Sequence, residues 1–363
     1  MSTRPILIMA GGTGGHVFPA LAVARVLRAQ GIAVSWLGTR QGLEARVVPE
    51  AGFPMAWIRV SGLRGKGLAR RLSAPFMLAL ALLQSFWVLV RLRPAAVLGM
   101  GGFVTGPGGL MAWLLRRPLL IHEQNSVAGM TNRWLAPLAR QVMVAFPAAL
   151  PGALLTGNPV REDIAALPAP AQRLVQRTGA PRLLVLGGSL GAQVLNETVP
   201  AAIARLPENL RPEVWHQTGI RHLDAGREAY AAAGMSARVE AFVDDMAAAY
   251  GWADLVVCRS GALTVAELAA AGIGAILVPY PHAVDDHQTG NARYLAEQGA
   301  ALLLPQPELN ATRLAELLQP LLADRVRMVA MAGQARALAQ PEAARQVAQA
   351  CVAAAGLEWR AAA

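Results

Sequence analysis

The sequence predicts an α/β protein of two doubly wound domains, each a mostly parallel sheet with helices on both faces. Three observations predict it. Ile6 to Met9 is an apolar run without alternation, as a strand buried on both faces requires. It is followed by Gly11, Gly12, Gly14 and Gly15, then by Val17, Leu21, Ala24 and Leu27 at helical spacing. The same order of strand, glycine turn and helix returns at Arg182 to Leu186, Gly187 to Ala192 and Val194 to Leu206. Elsewhere, strand-length apolar runs alternate with helical segments, the pattern of parallel sheets joined by crossover helices. A chain of 363 residues is long enough for two such cores.

The first glycine turn places backbone N–H groups at the positive end of a helix beginning after His16, a site suited to an anionic ligand. A dinucleotide is disfavoured. Counted from Gly12, the sixth position of G-x-G-x-x-G is Val17, and the second strand, Ala33 to Leu37, ends in Gly38-Thr39-Arg40 without a ribose-binding carboxylate. A phosphate loop of the Gly-Lys-Ser/Thr kind is excluded, because Gly65-Lys66 has Val60 in place of its first glycine and Gly67 in place of the hydroxyl.

Met55 to Val60, Ala95 to Leu98, Pro118 to Ile121 and Val142 to Val144 are the later strands expected in the first domain. Gly99 to Gly109 is a further glycine-rich turn, serving either a ligand or close packing on a helix. His122-Glu123-Gln124-Asn125 closes a strand with four polar side chains, which either line a site or form a solvated loop. From Ala74 to Val90 no residue is charged, and Arg70, Arg71, Arg91 and Arg93 flank the stretch. It stands at the lower limit of the roughly 17 to 25 residues a membrane span needs, and spanning would divide a sheet. A helix lying on a membrane surface through Phe76, Leu80, Leu83 and Trp87 fits better, with a core helix as the alternative.

The boundary is expected near Gly157, giving domains 1–157 and 158–337, with a final helix in 338–363 crossing back onto the first. Each glycine turn sits at the carboxyl end of its domain's first strand, so the default site is a cleft between facing domains. In the second domain, strand Leu255 to Cys258 runs into a helix carrying Glu267, which either holds a ribose diol or complements the helix dipole. After strand Ala275 to Val278, His282, His287, Gln288 and Asn291 suggest a polar pocket wall.

A formal charge of +10 points to an anionic partner. With four Tyr and seven Phe and no interleaving of aromatic and basic residues, nucleic acid is the weaker candidate. Cys258 and Cys351 give neither a disulfide framework nor a zinc spacing, which suits a reducing compartment. No signal peptide is recognised, so the chain is expected in the cytoplasm.

Together these segments resemble the MurG family, bacterial glycosyltransferases that add N-acetylglucosamine to lipid I in peptidoglycan synthesis. The resemblance is carried by Gly11 to Ala24, Gly99 to Gly109, His122 to Asn125, Gly157 to Arg161, Gly187 to Ala192, Cys258 to Glu267 and His287 to Ala292. Leu190 and Phe103 depart from the family pattern, where Gln and Tyr are frequent. The resemblance implies the GT-B fold and an inverting, metal-independent transfer from UDP-N-acetylglucosamine to undecaprenyl-linked lipid I. It also implies no cofactor, a peripheral position on the cytoplasmic face of the inner membrane beside anionic phospholipid, and further cell-wall synthesis proteins as partners.

On that resemblance Ala262, Leu263, Thr264, Val265, Ala266 and Glu267 hold the nucleoside, Val243 offers backbone to uracil, and Ser189 and Arg161 meet the diphosphate. Gln288 and Asn125 contact the sugar, and Thr13, Gly14 and Gly15 also touch the donor. His16 is the general base, the one side chain of the first turn able to accept a proton near neutrality, with helix capping or phosphate binding as the alternative. No D-x-D motif for a metal-bound diphosphate occurs. A nucleotide-sugar epimerase of the same fold and a non-catalytic nucleotide-binding membrane module are the rival functions.

Overall fold

The computed structural model describes residues 4–60, 74–147, 149–188 and 190–360, and divides into two units, Met1–Arg161 with Pro341–Ala363, and Glu162–Gln340. Ser189 and the flanking Arg70 and Arg71 lie outside the described residues.

The first unit holds strands β1 (Ile6–Met9), β2 (Val34–Gly38), β3 (Met55–Trp57), β4 (Ala96–Gly99), β5 (Leu119–Glu123), β6 (Gln141–Val144) and β7 (Leu154–Leu155). Among the described residues they form one sheet in the order β3-β2-β1-β4-β5-β6-β7, every pair parallel. The unbroken apolar run of β1 has a simple cause. Ile6 and Ile8 face a core closed by helix Gly14–Ala29 and the C-terminal helix Ala343–Ala354, while Leu7 and Met9 face the opposite core, which includes Leu89 and Ala112.

The second unit holds β8 (Arg182–Leu186), β9 (Glu213–Gln217), β10 (Arg238–Glu240), β11 (Leu255–Cys258), β12 (Gly274–Leu277) and β13 (Ala301–Leu303), in the order β10-β9-β8-β11-β12-β13 and again all parallel. In both units the order reverses beside the first strand, and in such sheets ligands bind outside the carboxyl ends at that switch point.

Several bounds differ from those expected. The first helix starts at Gly14, so Gly14, Gly15 and His16 form its first turn. Gly106, Gly108 and Gly109 belong to helix Thr105–Leu114, where a Cβ on Gly108 would collide with Met9 and one on Gly109 with Leu135. The units part after Arg161 and rejoin at Pro341, beyond the expected 157 and 337. The chain from Thr156 to Pro159 is buried, and the Gly157 carbonyl accepts from His122 Nε2, which ties the segment to the first sheet.

Helix Ala74–Leu92 is the uncharged stretch, extended to include Arg91. It turns Ala81, Ser85 and Leu89 inward and packs on helix Thr105–Leu114. Phe76 is 80% exposed, Leu80 39%, Leu83 54% and Trp87 62%, so the core-helix alternative fails for that face. It is the one helix among the described residues long and apolar enough to cross a membrane, yet it joins two strands of one parallel sheet.

Two histidines are walled into the sheets. Burial pushes His122 in β5 down to about 4 from 6.5, against the opposing effects of the Gly157 carbonyl and Glu123, and pushes His216 in β9 down to about 3. Below pH 6.5 the unfolded chain therefore takes up protons that the folded chain refuses. This contribution to stability is complete above pH 6.5 and is lost as pH falls towards 4 and 3, at about 1.4 kcal/mol per pH unit for each histidine. Urea unfolding at pH 7.5 and 5.0 should show the loss. His216→Phe should flatten the pH dependence of the second unit, and an unchanged slope would contradict this assignment.

Candidate functional site

In the first unit three segments meet at the carboxyl ends of β1, β4 and β5. Thr13 N-caps helix Gly14–Ala29 with an extended backbone but makes no side-chain cap bond, and no acidic residue lies in the first turn. Backbone N–H groups at that terminus are thus available to an anion. Gly12 has φ +94°, and its N–H donates to Glu44 Oε2 at 2.9 Å. Glu44, fully buried, also accepts from the Thr39 N–H at 2.9 Å and the Thr39 hydroxyl at 2.8 Å.

Beside it, the turn after β4 carries Gly101 and Gly102 at φ +93° and +83°. A Cβ on Gly102 would collide with the Gly11 backbone, and one on Gly101 would stand 2.6 Å from His16 Nδ1. The close-packing reading accounts for these contacts: the helical glycines pack on Met9 and Leu135, and Gly101 and Gly102 let a turn lie against Gly11 and the His16 ring. Phe103 is exposed next to them.

His122, Glu123 and Gln124 are buried, which removes the solvated-loop alternative, and of the four polar residues only Asn125 is half-exposed. Glu123 is absorbed in structure: Oε1 accepts from Asn125 N at 2.9 Å, and Oε2 accepts from Gly129 N at 3.0 Å and Asn132 Nδ2 at 2.8 Å. Gln124 reaches His16, its Oε1 lying 2.9 Å from Nδ1. Arg161 belongs to the first unit, not the second as expected, and its guanidinium lies 5.7 Å from the centre of the Phe18 ring. Arg161 follows a segment that His122 holds to β5, so the boundary expected at Gly157 misassigned it.

In the second unit helix Ala262–Ala271 follows β11. Gly261 is its N-cap, without a side-chain cap bond or an acidic residue in the first turn. Ala262, Leu263, Thr264, Val265 and Ala266 form the start of the helix. Glu267 lies beyond that first turn and is 5% exposed, with Oε2 accepting from Tyr250 OH at 3.1 Å. A dipole partner would sit in the first turn, so burial and the Tyr250 bond favour a held carboxylate over the dipole reading.

Ser260 Oγ donates to Gln288 O at 2.8 Å, Asn291 Nδ2 donates to Ser260 O at 3.2 Å, and Gln288 Oε1 accepts from Tyr280 N at 2.9 Å. This lattice brings Gln288 and Asn291 to the turn before Ala262, whereas His287 bonds back to Val284 O. Arg259 donates to Val278 O and Pro279 O at 3.2 and 3.1 Å, a brace that the sequence did not reveal. Val243 is buried beyond β10, and Leu190 is exposed in the turn after β8. A Cβ on Gly191 or Gly219 would collide with the backbone of the other turn, so the turns after β8 and β9 interlock.

Among the described residues no cluster of three or more His, Cys, Asp or Glu could hold a metal ion. Tyr250 and Glu44 are the supporting residues that sequence reasoning missed. Each meets its partner only through the fold.

Residues 6–144 match the glycosyltransferase family 28 N-terminal domain and residues 182–347 its C-terminal domain. A curated relative from Nitrosococcus oceani, named as the UDP-N-acetylglucosamine–N-acetylmuramyl-(pentapeptide) pyrophosphoryl-undecaprenol N-acetylglucosamine transferase, is 61% identical over 96% of this chain and 98% of its own. One of the same name from Alkalilimnicola ehrlichii is 60% identical over 96% and 99%. The crystal structure of Acinetobacter baumannii MurG superposes with a TM-score of 0.83 at 42% identity, covering 96% of this chain and 99% of that one. With parallel sheets, glycine turns and uncapped helix N-termini in both matched regions, this chain belongs to glycosyltransferase family 28, within its MurG branch of GT-B enzymes.

Proposed function

We propose that this chain transfers N-acetylglucosamine from UDP-N-acetylglucosamine to the C4 hydroxyl of N-acetylmuramic acid in lipid I, making lipid II. The observation that carries this reading is the 61% identity, over nearly the whole of both chains, to a relative named for that transfer. An epimerase of the same fold would need no lipid acceptor, and a binding module would need no base.

In the reaction, the acceptor oxygen attacks the anomeric carbon from the face opposite UDP, and the bond to the diphosphate oxygen breaks. UDP leaves with the electron pair, and the configuration inverts from α to β. His16 takes the acceptor proton. Its ring is half-exposed at the first turn of a helix and anchored through Nδ1, an arrangement that suits a base better than a helix cap. Charge gathering on the leaving diphosphate is met by helix N-termini and by Arg161 and Ser189. The start of helix Ala262–Ala271 receives the nucleoside, Glu267 binds the ribose diol and the Val243 backbone binds uracil. Gln288 and Asn125 bind the sugar, and the Thr13 to Gly15 turn completes the contacts to the donor.

The exposed face of helix Ala74–Leu92 is proposed to rest on the anionic cytoplasmic surface of the inner membrane, where lipid I is anchored. Helix Thr105–Leu114, packed against it, exposes Trp113 and Leu114 as well. Flanking arginines would meet the headgroups. Further cell-wall synthesis proteins are proposed partners on this surface.

Incubation with labelled UDP-N-acetylglucosamine and a lipid I analogue tests the function: a lipid-linked disaccharide is expected, whereas an epimerised free UDP-sugar or no product would refute it. His16→Ala should lower kcat by roughly 10² to 10⁴ with UDP-sugar affinity little changed. If only KM rises, the base lies elsewhere.

Glu267→Ala should weaken UDP-sugar binding at least about tenfold by calorimetry, since hydrogen bonds to a charged group contribute roughly 1.5 to 3 kcal/mol. Glu267→Gln, which keeps an acceptor for Tyr250, separates that loss from misfolding. Replacing Phe76, Leu80 and Trp87 by Ser should release the protein from anionic vesicles while sparing activity on a water-soluble acceptor. Undiminished vesicle binding by a folded triple variant would refute the docking face.

A further inference from the structure

We propose that Gln124 and His122 are positioning residues that lock His16 in the Nδ1–H tautomer and so leave its Nε2 lone pair as the proton acceptor. This rests on the reading of His16 as the base, and it follows from a chain of hydrogen bonds in which each atom's role is forced by its neighbour.

The chain starts at a backbone carbonyl. Gly157 O can only accept, so His122 Nε2, 2.9 Å away, carries a proton. His122 is fully buried and stays neutral near pH 7, with burial holding it at about 4, so Nδ1 has a lone pair. Gln124 Nε2 lies 3.0 Å from that nitrogen and 3.1 Å from the His122 carbonyl oxygen. Two acceptors on one side orient the amide: its NH₂ faces His122 and its oxygen faces His16. Oε1 can only accept, so His16 Nδ1, at 2.9 Å, must donate. A neutral imidazole carries one ring proton, which leaves Nε2 unprotonated.

Two features keep the chain from being bypassed. His122 and Gln124 are both buried, which shields their contacts from competing water. The Nδ1 edge of His16 packs on Gly101, where a Cβ would stand 2.6 Å from that nitrogen, so this edge fits only a glycine. Without the amide oxygen the ring would be able to hold its proton on Nε2, where no lone pair would remain to receive the acceptor's proton. A base in the wrong tautomer is catalytically silent although its geometry is intact.

The test is two-bond ¹⁵N–¹H correlation spectroscopy of the full chain labelled with [¹⁵N]histidine at pH 7.5, with His16 assigned by its loss in His16→Ala. The wild type is expected to show His16 protonated at Nδ1 and bare at Nε2. Gln124→Met, similar in length but lacking the amide, should populate the Nε2–H form. It should also lower kcat about tenfold or more, within the roughly 10² to 10⁴ a general base supplies, at unchanged UDP-sugar affinity. Finding Nε2–H at His16 in the wild type, or an unaltered Nδ1–H form in Gln124→Met, overturns the proposal. If Gln124→Met shifts the tautomer and kcat stays the same, the positioning chain stands and His16 falls as the base.

Discussion

Everything at the working end of the first unit depends on two backbones touching without side chains between them. The turn after β4 lies on the turn after β1 because Gly102 has no Cβ to strike Gly11, and Gly101 has none to strike His16. Positive φ at both residues makes glycine doubly necessary. That contact fixes where the first helix begins, and with it the direction of Thr13, Gly14 and Gly15 and the seat of the His16 ring. The second unit repeats the device with different strands: Gly191 and Gly219 interlock the turns after β8 and β9.

Turns so poor in side chains are held by buried polar groups. Glu44 gathers the Gly12 and Thr39 N–H groups, and Glu123 gathers Asn125, Gly129 and Asn132. At the amino end of β8, the opposite end from its glycine turn, Asp254 receives the Arg182 N–H and the Arg177 guanidinium. A buried carboxylate without such partners would be costly, so each stays only while its loop keeps one conformation. The carboxylates therefore act as fasteners, and Glu44, bonded to Gly12 beside the start of the first helix, passes its rigidity to an N-terminus proposed to face the diphosphate. Glu267 differs from them in standing beyond an uncapped helix start, with Tyr250 holding one of its oxygens.

The strands legible in the sequence were β1 to β6, β8, β11 and β12, most of them apolar runs buried on both faces. β9 was not among them. It ends His216-Gln217, and both are buried only because Tyr230 OH and Gly188 O pair with them, partners fourteen and twenty-nine residues away. β10 carries Arg238 and Glu240, which pair with each other and look like a surface turn. Apolar periodicity also started the first helix too late, since glycines leave no mark on a pattern read from side chains. The turns, His16 and the His122 to Asn125 cluster were visible as motifs. What a string of residues could not display was which members of a polar cluster point outward: Glu123 turns to its own loop, Gln124 reaches His16, and His122 vanishes into the sheet.

Helix Ala74–Leu92 shows how one segment can serve a fold and leave most of its surface unused by it. It carries the chain from the edge strand β3 across to β4, past β2 and β1, and so must lie along the sheet. Its inward residues, Ala81, Ser85 and Leu89, let it sit close to helix Thr105–Leu114. Val88 and Leu92 pack against the same core as Leu89 and Gln84 accepts from the Arg59 N–H, but among the described residues none of this packing accounts for Phe76, Leu83 and Trp87 on the outer face. Apolar side chains of that size, exposed on a structural crossover, are what the proposed membrane surface would cover. The acceptor's polyprenyl anchor supplies the reason for one. An enzyme whose proposed base lies at the end of the same sheet would meet a membrane-bound hydroxyl most often if that sheet were itself held at the membrane, which converts a search in three dimensions into one along a plane.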